Sequence, residues 1–270
     1  MKAGAVVLIT GASSGIGLMC AQHLQQRGYR VYGTSRRPAA HQVLFKMIEL
    51  DVDDDASVQR GIEQIIGETG RLDVVVNNAG YSLVGAAEDT SLEEAKAQFE
   101  TNFFGVLRVC QAALPVMRAQ RSGCIVNVSS MASVIGVPFY GLYSASKSAL
   151  ESYTDALRLE VRPFGIHTVL IQPGDFHTQA ALYRRRAERS LDHSVYREQC
   201  ERVLHGMEQD EIEGGSPARV AYLLERIITS RSPRPRYRIG PFIEQLAVMA
   251  KPNFPGKVFD WIVRQFYRLP

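Results

Sequence analysis

The chain has 270 residues, 46% of them hydrophobic and 22% charged, and a formal net charge of +3. This length and this apolar content allow one substantial hydrophobic core, as in single α/β domains of similar size. The small net charge by itself argues neither for nor against a nucleic-acid partner, but no basic stripe is interleaved with aromatic residues, so we expect none.

Three observations lead us to expect a cytoplasmic protein. The first apolar run begins about four residues after Met1, which leaves no room for a signal peptide. No stretch approaches the ~20 apolar residues that a membrane-spanning helix needs. The four cysteines have neither metal-ligand spacing nor a pairing pattern, which favours free thiols in a reducing compartment and no metal site.

Short apolar runs alternate with helical patterns along the chain, which predicts a parallel β-sheet with helices on both faces. The predicted strands are residues 5–10, 30–34, 45–50, 73–77, 125–129, 166–171 and 237–240. The predicted helices are a stretch that ends at residue 27, then 56–69, 91–118, 141–164 and 217–229. The last helix has Ser216 as its N-cap and Pro217 at its first position. We therefore predict a single doubly wound α/β domain with a seven-stranded sheet.

Two segments depart from this alternation. Residues 175–215 are polar and rich in Arg and Glu, and residues 241–270 follow the last predicted strand. In the second segment, apolar residues at i, i+3, i+4 and i+7 predict one face of a short helix: Phe259, Ile262, Val263 and Phe266. Three interpretations of this face stay open: packing on the core or a partner subunit, a wall of a hydrophobic pocket, and membrane-surface contact. The positive charge for membrane contact would come from Lys251, Lys257, Arg264 and Arg268.

A glycine-rich turn follows the first predicted strand and opens the first helix. Its glycines would let the backbone turn tightly and approach a pyrophosphate, which would rest on the amides of the helix N-terminus. The candidate residues are Gly11, Ser13, Ser14, Gly15, Ile16 and Gly17. Many turns carry glycines, so this turn is weak evidence when taken alone.

Ser130, Tyr143 and Lys147 together predict acid–base chemistry. Tyr143 and Lys147 are four residues apart in a predicted helix, so their side chains lie on the same face. A free phenol titrates near ~10, and a lysine beside it would favour the phenolate and lower that pKa. Lys147 is also long enough to reach a sugar hydroxyl of a bound cofactor. Ser130 follows a buried strand, at the edge where open α/β sheets bind ligands.

These motifs, in this order and spacing, resemble those of the short-chain dehydrogenase/reductase family. They are the glycine-rich turn, Asn77-Asn78-Ala79-Gly80, Ser130, Tyr143-x-x-x-Lys147 and Pro173-Gly174. The resemblance covers residues 1 to about 240 and implies a Rossmann-fold oxidoreductase with Ser130, Tyr143 and Lys147 as catalytic residues. It implies that Asn102, in the middle helix, holds a water that connects to the lysine. We treat 1–270 as one domain with a substrate lid at 175–215 and a C-terminal extension at 241–270.

The resemblance also implies a nicotinamide dinucleotide along the carboxyl edge of the sheet. Asn78, Ala79 and Gly80 would border the adenosine ribose, although a plain strand-end turn is the alternative. Asp51 and Val52 would meet the adenine, and the alternative for Asp51 is a capping aspartate. The nicotinamide side would be formed by Pro173, Gly174, Phe176 and Thr178.

The choice between the two nicotinamide dinucleotides depends on Ser35-Arg36-Arg37 after the second strand. A carboxylate there would grip the ribose 2′-hydroxyl and repel a 2′-phosphate, whereas arginine accommodates that phosphate. We therefore predict NADP(H) as the cofactor, with a solvated basic turn as the alternative. A second basic run, Arg184-Arg185-Arg186, is either a solvated face or an anchor for a substrate carboxylate or phosphate.

The predicted reaction is reversible hydride transfer between a nicotinamide and a carbonyl or secondary alcohol, as in a ketoreductase. Relatives with a long lid and an apolar C-terminal extension, such as 17β-hydroxysteroid and retinol dehydrogenases, act on hydrophobic alcohols and ketones. This chain is similar to them, except that its lid is polar, so we expect a lipid, steroid or acyl-chain-like small molecule. We expect a homodimer or homotetramer. The alternatives are a membrane-associated protein or a non-catalytic nucleotide sensor on the same fold.

Overall fold

A seven-stranded, all-parallel β-sheet forms the centre of the computed structural model, which describes residues 1, 3–38, 42–178, 180–191 and 194–269. The strands in chain order are β1 (Val6–Ile9), β2 (Arg30–Ser35), β3 (Lys46–Glu49), β4 (Val74–Asn77), β5 (Leu83–Val84), β6 (Gly123–Val128), β7 (Ile166–Pro173), β8 (Arg185–Arg186) and β9 (Arg236–Ile239). The order across the sheet is β3-β2-β1-β4-β6-β7-β9. This confirms the predicted doubly wound α/β fold, and the strand order reverses between β1 and β4, which is where such sheets bind ligands.

The central strands are buried along their whole length because helices cover both faces of the sheet. Every residue of β1, β4 and β6 is buried, as expected for strands of a parallel sheet. Alternate side chains of β1 enter different cores: Val7 and Ile9 lie in one cluster, and Val6 and Leu8 in the other. The continuous apolar runs are therefore the reason that the strands could be predicted.

Ten α-helices are assigned in the described part of the chain. They are α1 (Gly15–Gln26), α2 (Asp55–Thr69), α3 (Leu92–Phe99), α4 (Gly105–Gln120), α5 (Gly141–Val161), α6 (Ala180–Tyr183), α7 (Arg197–Glu213), α8 (Ala218–Thr229), α9 (Phe242–Ala250) and α10 (Gly256–Phe266). Leu24 of α1 and Leu224 of α8 are fully buried in the core on one face of the sheet. Side chains of α2, α4 and α5 fill the core on the other face.

The predicted helix over residues 91–118 is two helices joined by a π-helical turn. Ser91 and Glu94 form a capping box that starts α3, and Glu100–Phe104 then forms the π turn before α4 begins. Single π turns inside helices frequently occur at functional sites. The sequence pattern did not predict the π turn because the apolar spacing continues through it.

The predicted start of the 217–229 helix is one residue too early. α8 begins at Ala218, and Pro217 occupies the N-cap position. The Ser216 hydroxyl accepts a hydrogen bond from the Ala218 amide over 3.3 Å, so it still caps the first turn.

The two segments outside the alternation contain elements that the sequence pattern did not indicate. β5 and β8 pair in parallel as a separate two-stranded sheet and tie Leu83–Val84 to the segment after β7. The C-terminal segment contains the predicted α10 and also α9, which was missed. No helix among the described residues is long and apolar enough to span a membrane.

We expect the stability of the fold to depend strongly on the buried face of α5. Leu157 has 4% of its surface exposed and lies in the core, whereas Leu159 on the same helix is 66% exposed. Leu157→Ala should lower the free energy of unfolding by about 2–5 kcal/mol because it removes buried methylenes and leaves a cavity. Leu159→Ala, the matched control, should change it by less than about 0.5 kcal/mol. Urea denaturation measures both, and equal effects would contradict this packing.

Candidate active site

A cavity of about 1520 Å³ opens along the carboxyl ends of the central strands. It is lined by Ser130, Tyr143, Lys147 and every predicted cofactor residue except Gly17. The strand topology thus gathers residues from position 11 to position 178 at one edge of the sheet. Gly17 and Asn102 do not line the cavity and lie behind its wall.

The glycine-rich turn is held in a shape that needs glycine at several positions. Gly11 and Gly15 have φ angles of +64° and +55°, in the left-handed region. A Cβ atom at Gly17 would overlap the side-chain amide of Asn78 and the carbonyl oxygen of Gly11. At the N-cap of α1, Ser14 forms no side-chain capping bond. The first amides of the helix are therefore open to an anion.

Asn78 connects the end of β4 to this turn. Its Nδ2 atom donates to the carbonyl oxygens of Thr10 and Gly11, each over 3.0 Å. The Thr10 hydroxyl accepts hydrogen bonds from the backbone amides of Asn78 and Ala79, both over 3.0 Å. The Asn78 side chain is therefore used to fix the turn, and its backbone together with Ala79 and Gly80 forms the cavity wall.

The end of β2 presents two arginines to the cavity. Arg36 and Arg37 are exposed, and the Ser35 hydroxyl accepts a hydrogen bond from the Arg37 amide over 3.2 Å. After the neighbouring strand β3, Asp51 Oδ1 accepts from the Asp53 amide over 3.1 Å, so this carboxylate caps its own turn while it lines the wall. The geometry is compatible with both interpretations that the sequence left open for Asp51.

Lys147 is buried at the centre of the site. It is 5% exposed, and its Nζ atom donates to the carbonyl oxygen of Val128, at the end of β6, over 2.9 Å. Burial lowers the pKa of Lys147 to about 8, and the Glu151 carboxylate opposes this change. Nζ lies 5.9 Å from the centroid of the Tyr143 ring, so both side chains belong to one site.

The expectation that Tyr143 has a lowered pKa is wrong for this structure. Burial raises the pKa of Tyr143, hydrogen bonding with Ser130 lowers it, and the nearby carboxylates of Asp175 and Glu211 raise it further. Desolvation of a phenolate outweighs the influence of a lysine that is itself buried and turned toward Val128. The phenol is therefore held in its protonated form.

Asn102 lies in the π turn and is fully buried. Its Nδ2 atom donates to the carbonyl oxygen of Tyr81 over 2.9 Å and to the Ser146 hydroxyl over 3.2 Å, while its Oδ1 atom accepts from the Tyr81 amide over 3.1 Å. A Cβ atom at Gly80 would lie 2.9 Å from Asn102 Oδ1 and 3.7 Å from Lys147 Nζ. The Asn102 side chain thus fixes the loop after β4 close to the lysine.

Glu151, one helical turn beyond Lys147, is a buried residue that the motif analysis missed. Its Oε1 atom accepts from the Ser129 hydroxyl and the Gln172 amide, each over 2.7 Å, and Arg236 lies 3.4 Å from its Oε2 atom. The i+4 spacing from Lys147 could have indicated Glu151. Its partners could not be found in this way, because they come from other strands far along the chain. This network fixes the carboxyl ends of β6 and β7 against α5.

Carboxylates gather in the cavity beyond the Pro173-Gly174 loop, close enough to Tyr143 to influence its pKa. The backbone amide of Asp175 donates to Glu244 Oε2 over 3.1 Å, and burial raises the pKa of both carboxyl groups. Arg184, whose side chain is 4% exposed, pairs with Glu211 and Glu208. The expected solvated face is therefore wrong for Arg184, which is buried in an ion-pair cluster.

The C-terminal helices form an apolar wall of the same cavity. The four residues of the predicted apolar face all line it: Phe259, Ile262, Val263 and Phe266. From α9, Ile243, Leu246 and Ala247 contribute to the same wall. On α10 only Phe259 is buried, and Phe266 is 54% exposed, so this face is not simply packed into the core. Of the three interpretations, the structure favours a wall of a hydrophobic pocket.

Comparison with known proteins gives one consistent result. The family model for short chain dehydrogenase matches residues 5–189. The chain is 41% identical to a 3-ketodihydrosphingosine reductase of Bacteroides thetaiotaomicron over 264 residues, which cover 98% of each protein. A crystal structure of a short-chain dehydrogenase from Streptomyces avermitilis is 31% identical, with a TM-score of 0.80 over 94% of this chain and 93% of the other.

A third similarity supports the fold. A short-chain dehydrogenase/reductase from Burkholderia phymatum, solved in complex with NAD, is 23% identical with a TM-score of 0.78. The two structures align over 96% of this chain and 95% of the other.

The close approach of α1 to Asn78 predicts a strict requirement for glycine at position 17. Gly17→Ala should lower the free energy of unfolding by about 1–3 kcal/mol, because the overlapping atoms include backbone that cannot move away easily. Gly67 is the matched control, since it lies in α2 and a Cβ atom added there would meet no other atom within 4 Å. Gly67→Ala should raise stability by about 0.5–1 kcal/mol. A neutral Gly17→Ala variant in urea denaturation would contradict the packing described.

Proposed function

Because this chain belongs to the short-chain dehydrogenase/reductase family, we propose that it is an NADPH-dependent reductase of a ketone on a long apolar molecule. One observation carries this proposal: a single cavity connects Tyr143 and Lys147 to the apolar wall formed by α9 and α10. A substrate placed there would have its carbonyl at the phenol and its chain along Leu246, Phe259 and Ile262.

The residues present fit a nicotinamide dinucleotide. The uncapped N-terminus of α1 behind Gly11 and Gly15 is suited to a pyrophosphate. Lys147 Nζ has one acceptor, Val128, among the described residues, and an ammonium has three donors, so ribose hydroxyls would complete its hydrogen bonding. Pro173, Gly174, Phe176 and Thr178 would border the nicotinamide. When bound, the cofactor supplies or accepts the hydride.

The protein's own contribution is to orient the carbonyl and to deliver a proton. Ser130 would donate a hydrogen bond to the carbonyl oxygen, and Tyr143 would transfer its phenolic proton to the same oxygen as the alcohol forms. Burial raises the pKa of Tyr143, so the phenol is protonated in the resting site and has a proton to give. Lys147 would stabilise the phenolate that results, and Asn102 would support the route by which a proton returns.

The preference for NADPH is proposed from charge. Arg36 and Arg37 are exposed at the end of β2, and Ser35 stands where a carboxylate would repel a 2′-phosphate. Arginine is well suited to a phosphate because its guanidinium can donate two parallel hydrogen bonds.

The substrate class is proposed from the apolar wall and from one relative. The Bacteroides thetaiotaomicron protein is named as a reductase of a 3-ketone, 3-ketodihydrosphingosine, and the alignment covers 98% of each protein. We further propose that residues 1–270 form one domain in which 175–215 is the substrate lid and 241–270 an extension of the pocket wall. Cytoplasmic location and a homodimer or homotetramer stay predictions.

The cofactor preference can be tested with one substitution. NADPH should bind the wild-type protein at least about tenfold more tightly than NADH, since a charge-assisted contact is worth roughly 1.5–3 kcal/mol. Arg36→Ala should reduce this ratio, whereas Arg60→Ala, an exposed arginine outside the cavity, should leave it unchanged. Fluorescence titration gives the dissociation constants. Equal affinities for both cofactors in the wild type would refute the assignment.

The role of Tyr143 can be separated from that of Lys147. Tyr143→Phe should lower the turnover of a long-chain ketone about 10²–10⁴-fold with little change in NADPH affinity, because only the proton donor is lost. Lys147→Met should lower both turnover and affinity. Tyr153→Phe, on the same helix but outside the cavity, is the control and should keep its turnover. Wild-type turnover in Tyr143→Phe, measured under single-turnover conditions, would exclude the role.

A further inference from the structure

The helices α9 and α10 carry exposed apolar side chains that do not belong to the cavity wall. Phe242 and Met249 lie on the same side of α9, and Val258 and Trp261 lie on the same side of α10. All four are exposed, Trp261 by 60%, and none of the four lines the cavity. We name these four residues the outer face. Proteins rarely leave an apolar surface of this kind without a partner.

The outer face continues into the mouth of the cavity. Leu246 of α9 and Ile262 and Phe266 of α10 line the cavity and are also exposed. On the opposite side, in the segment after β7, Leu182 and Tyr183 line the cavity and are exposed in the same way. Side chains that meet both the cavity and the solvent lie at its rim. The mouth is therefore bordered by apolar groups from two separate segments.

The charged side chains beside the outer face are mainly positive. Lys257 and Arg264 are exposed, and they lie one helical turn before and one turn after Trp261, on the same side of α10. Arg268 is exposed just beyond the end of the helix. These three cations form no ion pair with any other residue that the structure describes. Asp260 is the one acid within α10, so the surface combines apolar groups with unpaired positive charge.

Lys251, which the sequence also offered for membrane contact, is used within the protein instead. Its Nζ atom donates to the carbonyl oxygen of Val134 and lies 5.9 Å from the centroid of the Phe259 ring. Val248 of α9 and Phe259 of α10 are the buried residues of their helices. Both helices are thus held to the protein by one side, and the outer face is directed away from the core.

We propose that the outer face and its three cations dock on the surface of an anionic phospholipid bilayer, with the mouth of the cavity toward the lipid. The apolar side chains enter the boundary between headgroups and acyl chains, and Trp261 lies at the level of the headgroups. Lys257, Arg264 and Arg268 meet the lipid phosphates. This inference goes beyond the proposed reaction and does not depend on it.

A second copy of the chain fits this surface less well than a bilayer does. In a two-fold symmetric contact the same surface of both copies meets. Lys257 and Arg264 of one copy would then approach the same cations of the other, with only Asp260 to compensate them. The contact would also cover the mouth of the cavity. A bilayer satisfies the positive charge and gives an apolar ligand a route from the lipid into the cavity.

Trp261 is the only tryptophan of the chain, so its fluorescence reports directly on the outer face. Vesicles of phosphatidylcholine with about one-third phosphatidylglycerol should shift its emission to shorter wavelength, and brominated acyl chains should quench it. The wild-type protein should bind these vesicles at least about tenfold more tightly than vesicles of pure phosphatidylcholine, because each cation near the surface adds attraction. Added salt should weaken the binding.

Cosedimentation with the same vesicles extends the test to variants, and urea denaturation verifies that each variant is folded. Trp261→Ser and the double variant Lys257→Gln/Arg264→Gln should each lower binding to the anionic vesicles by about tenfold. The matched controls are Leu159→Ser and Arg60→Gln, which change exposed residues of α5 and α2 outside the cavity rim. Both controls should bind as the wild type does.

Three results would overturn the bilayer site: no binding to anionic vesicles, equal binding to charged and uncharged vesicles, or binding that both surface variants retain. A dimer in sedimentation velocity that Trp261→Ser dissociates, without any vesicle binding, would also overturn it and assign the outer face to a second copy. The measurements need neither NADPH nor a ketone, so the bilayer site and the proposed reductase function stand or fail separately.

Discussion

The burial of the Lys147 ammonium is the constraint on which the site depends. Nζ is held by the carbonyl oxygen of Val128 at the end of β6, so the start of α5 is fixed over the carboxyl edge of the sheet. Tyr143 lies one turn earlier and faces the same cavity. Burial of an ammonium with one acceptor among the described residues costs free energy, and it lowers the pKa of Lys147 to about 8. Ribose hydroxyls and a developing phenolate would both relieve it.

The electrostatic character of the site affects how readily Tyr143 releases its proton. Burial and the carboxylates of Asp175 and Glu211 raise the pKa of Tyr143, while the hydrogen bond with Ser130 and the charge of Arg184 lower it. The resting phenol is therefore protonated, and the Lys147 ammonium beside it would stabilise the phenolate as it forms.

Much of the fold and the site could be predicted from the sequence because both depend on local patterns. Continuous apolar runs such as residues 74–76 indicate buried parallel strands, and the parallel topology then brings the residues that follow those strands to one edge. The Tyr143–Lys147 spacing places both side chains on one helix face. Gly17 was part of the predicted glycine-rich turn, and the structure gives the reason for this glycine: α1 approaches Asn78 too closely for a Cβ atom.

The features that the sequence did not predict depend on contacts between distant residues. Asp175 and Glu244 are 69 positions apart and meet only because α9 folds back over the Pro173-Gly174 loop. Arg184 was expected on a solvated face, but it is buried by its pairing with Glu211. The raised pKa of Tyr143 likewise results from burial, which no spacing of residues reveals. The π turn at Asn102 keeps the apolar periodicity of the surrounding helices, so that periodicity does not distinguish the turn from an α-helix.

The central claim is that hydride and proton meet at one carbonyl carbon and oxygen beside Tyr143. Isotope transfer tests it most directly: the protein is incubated with NADPH deuterated at C4 of the nicotinamide and a long-chain ketone, and the product is analysed by mass spectrometry. The account predicts one deuterium at the carbinol carbon, delivered from a single face of the nicotinamide. An alcohol product without deuterium from either face, or NADPH that binds without any reduction of the ketone, would contradict it.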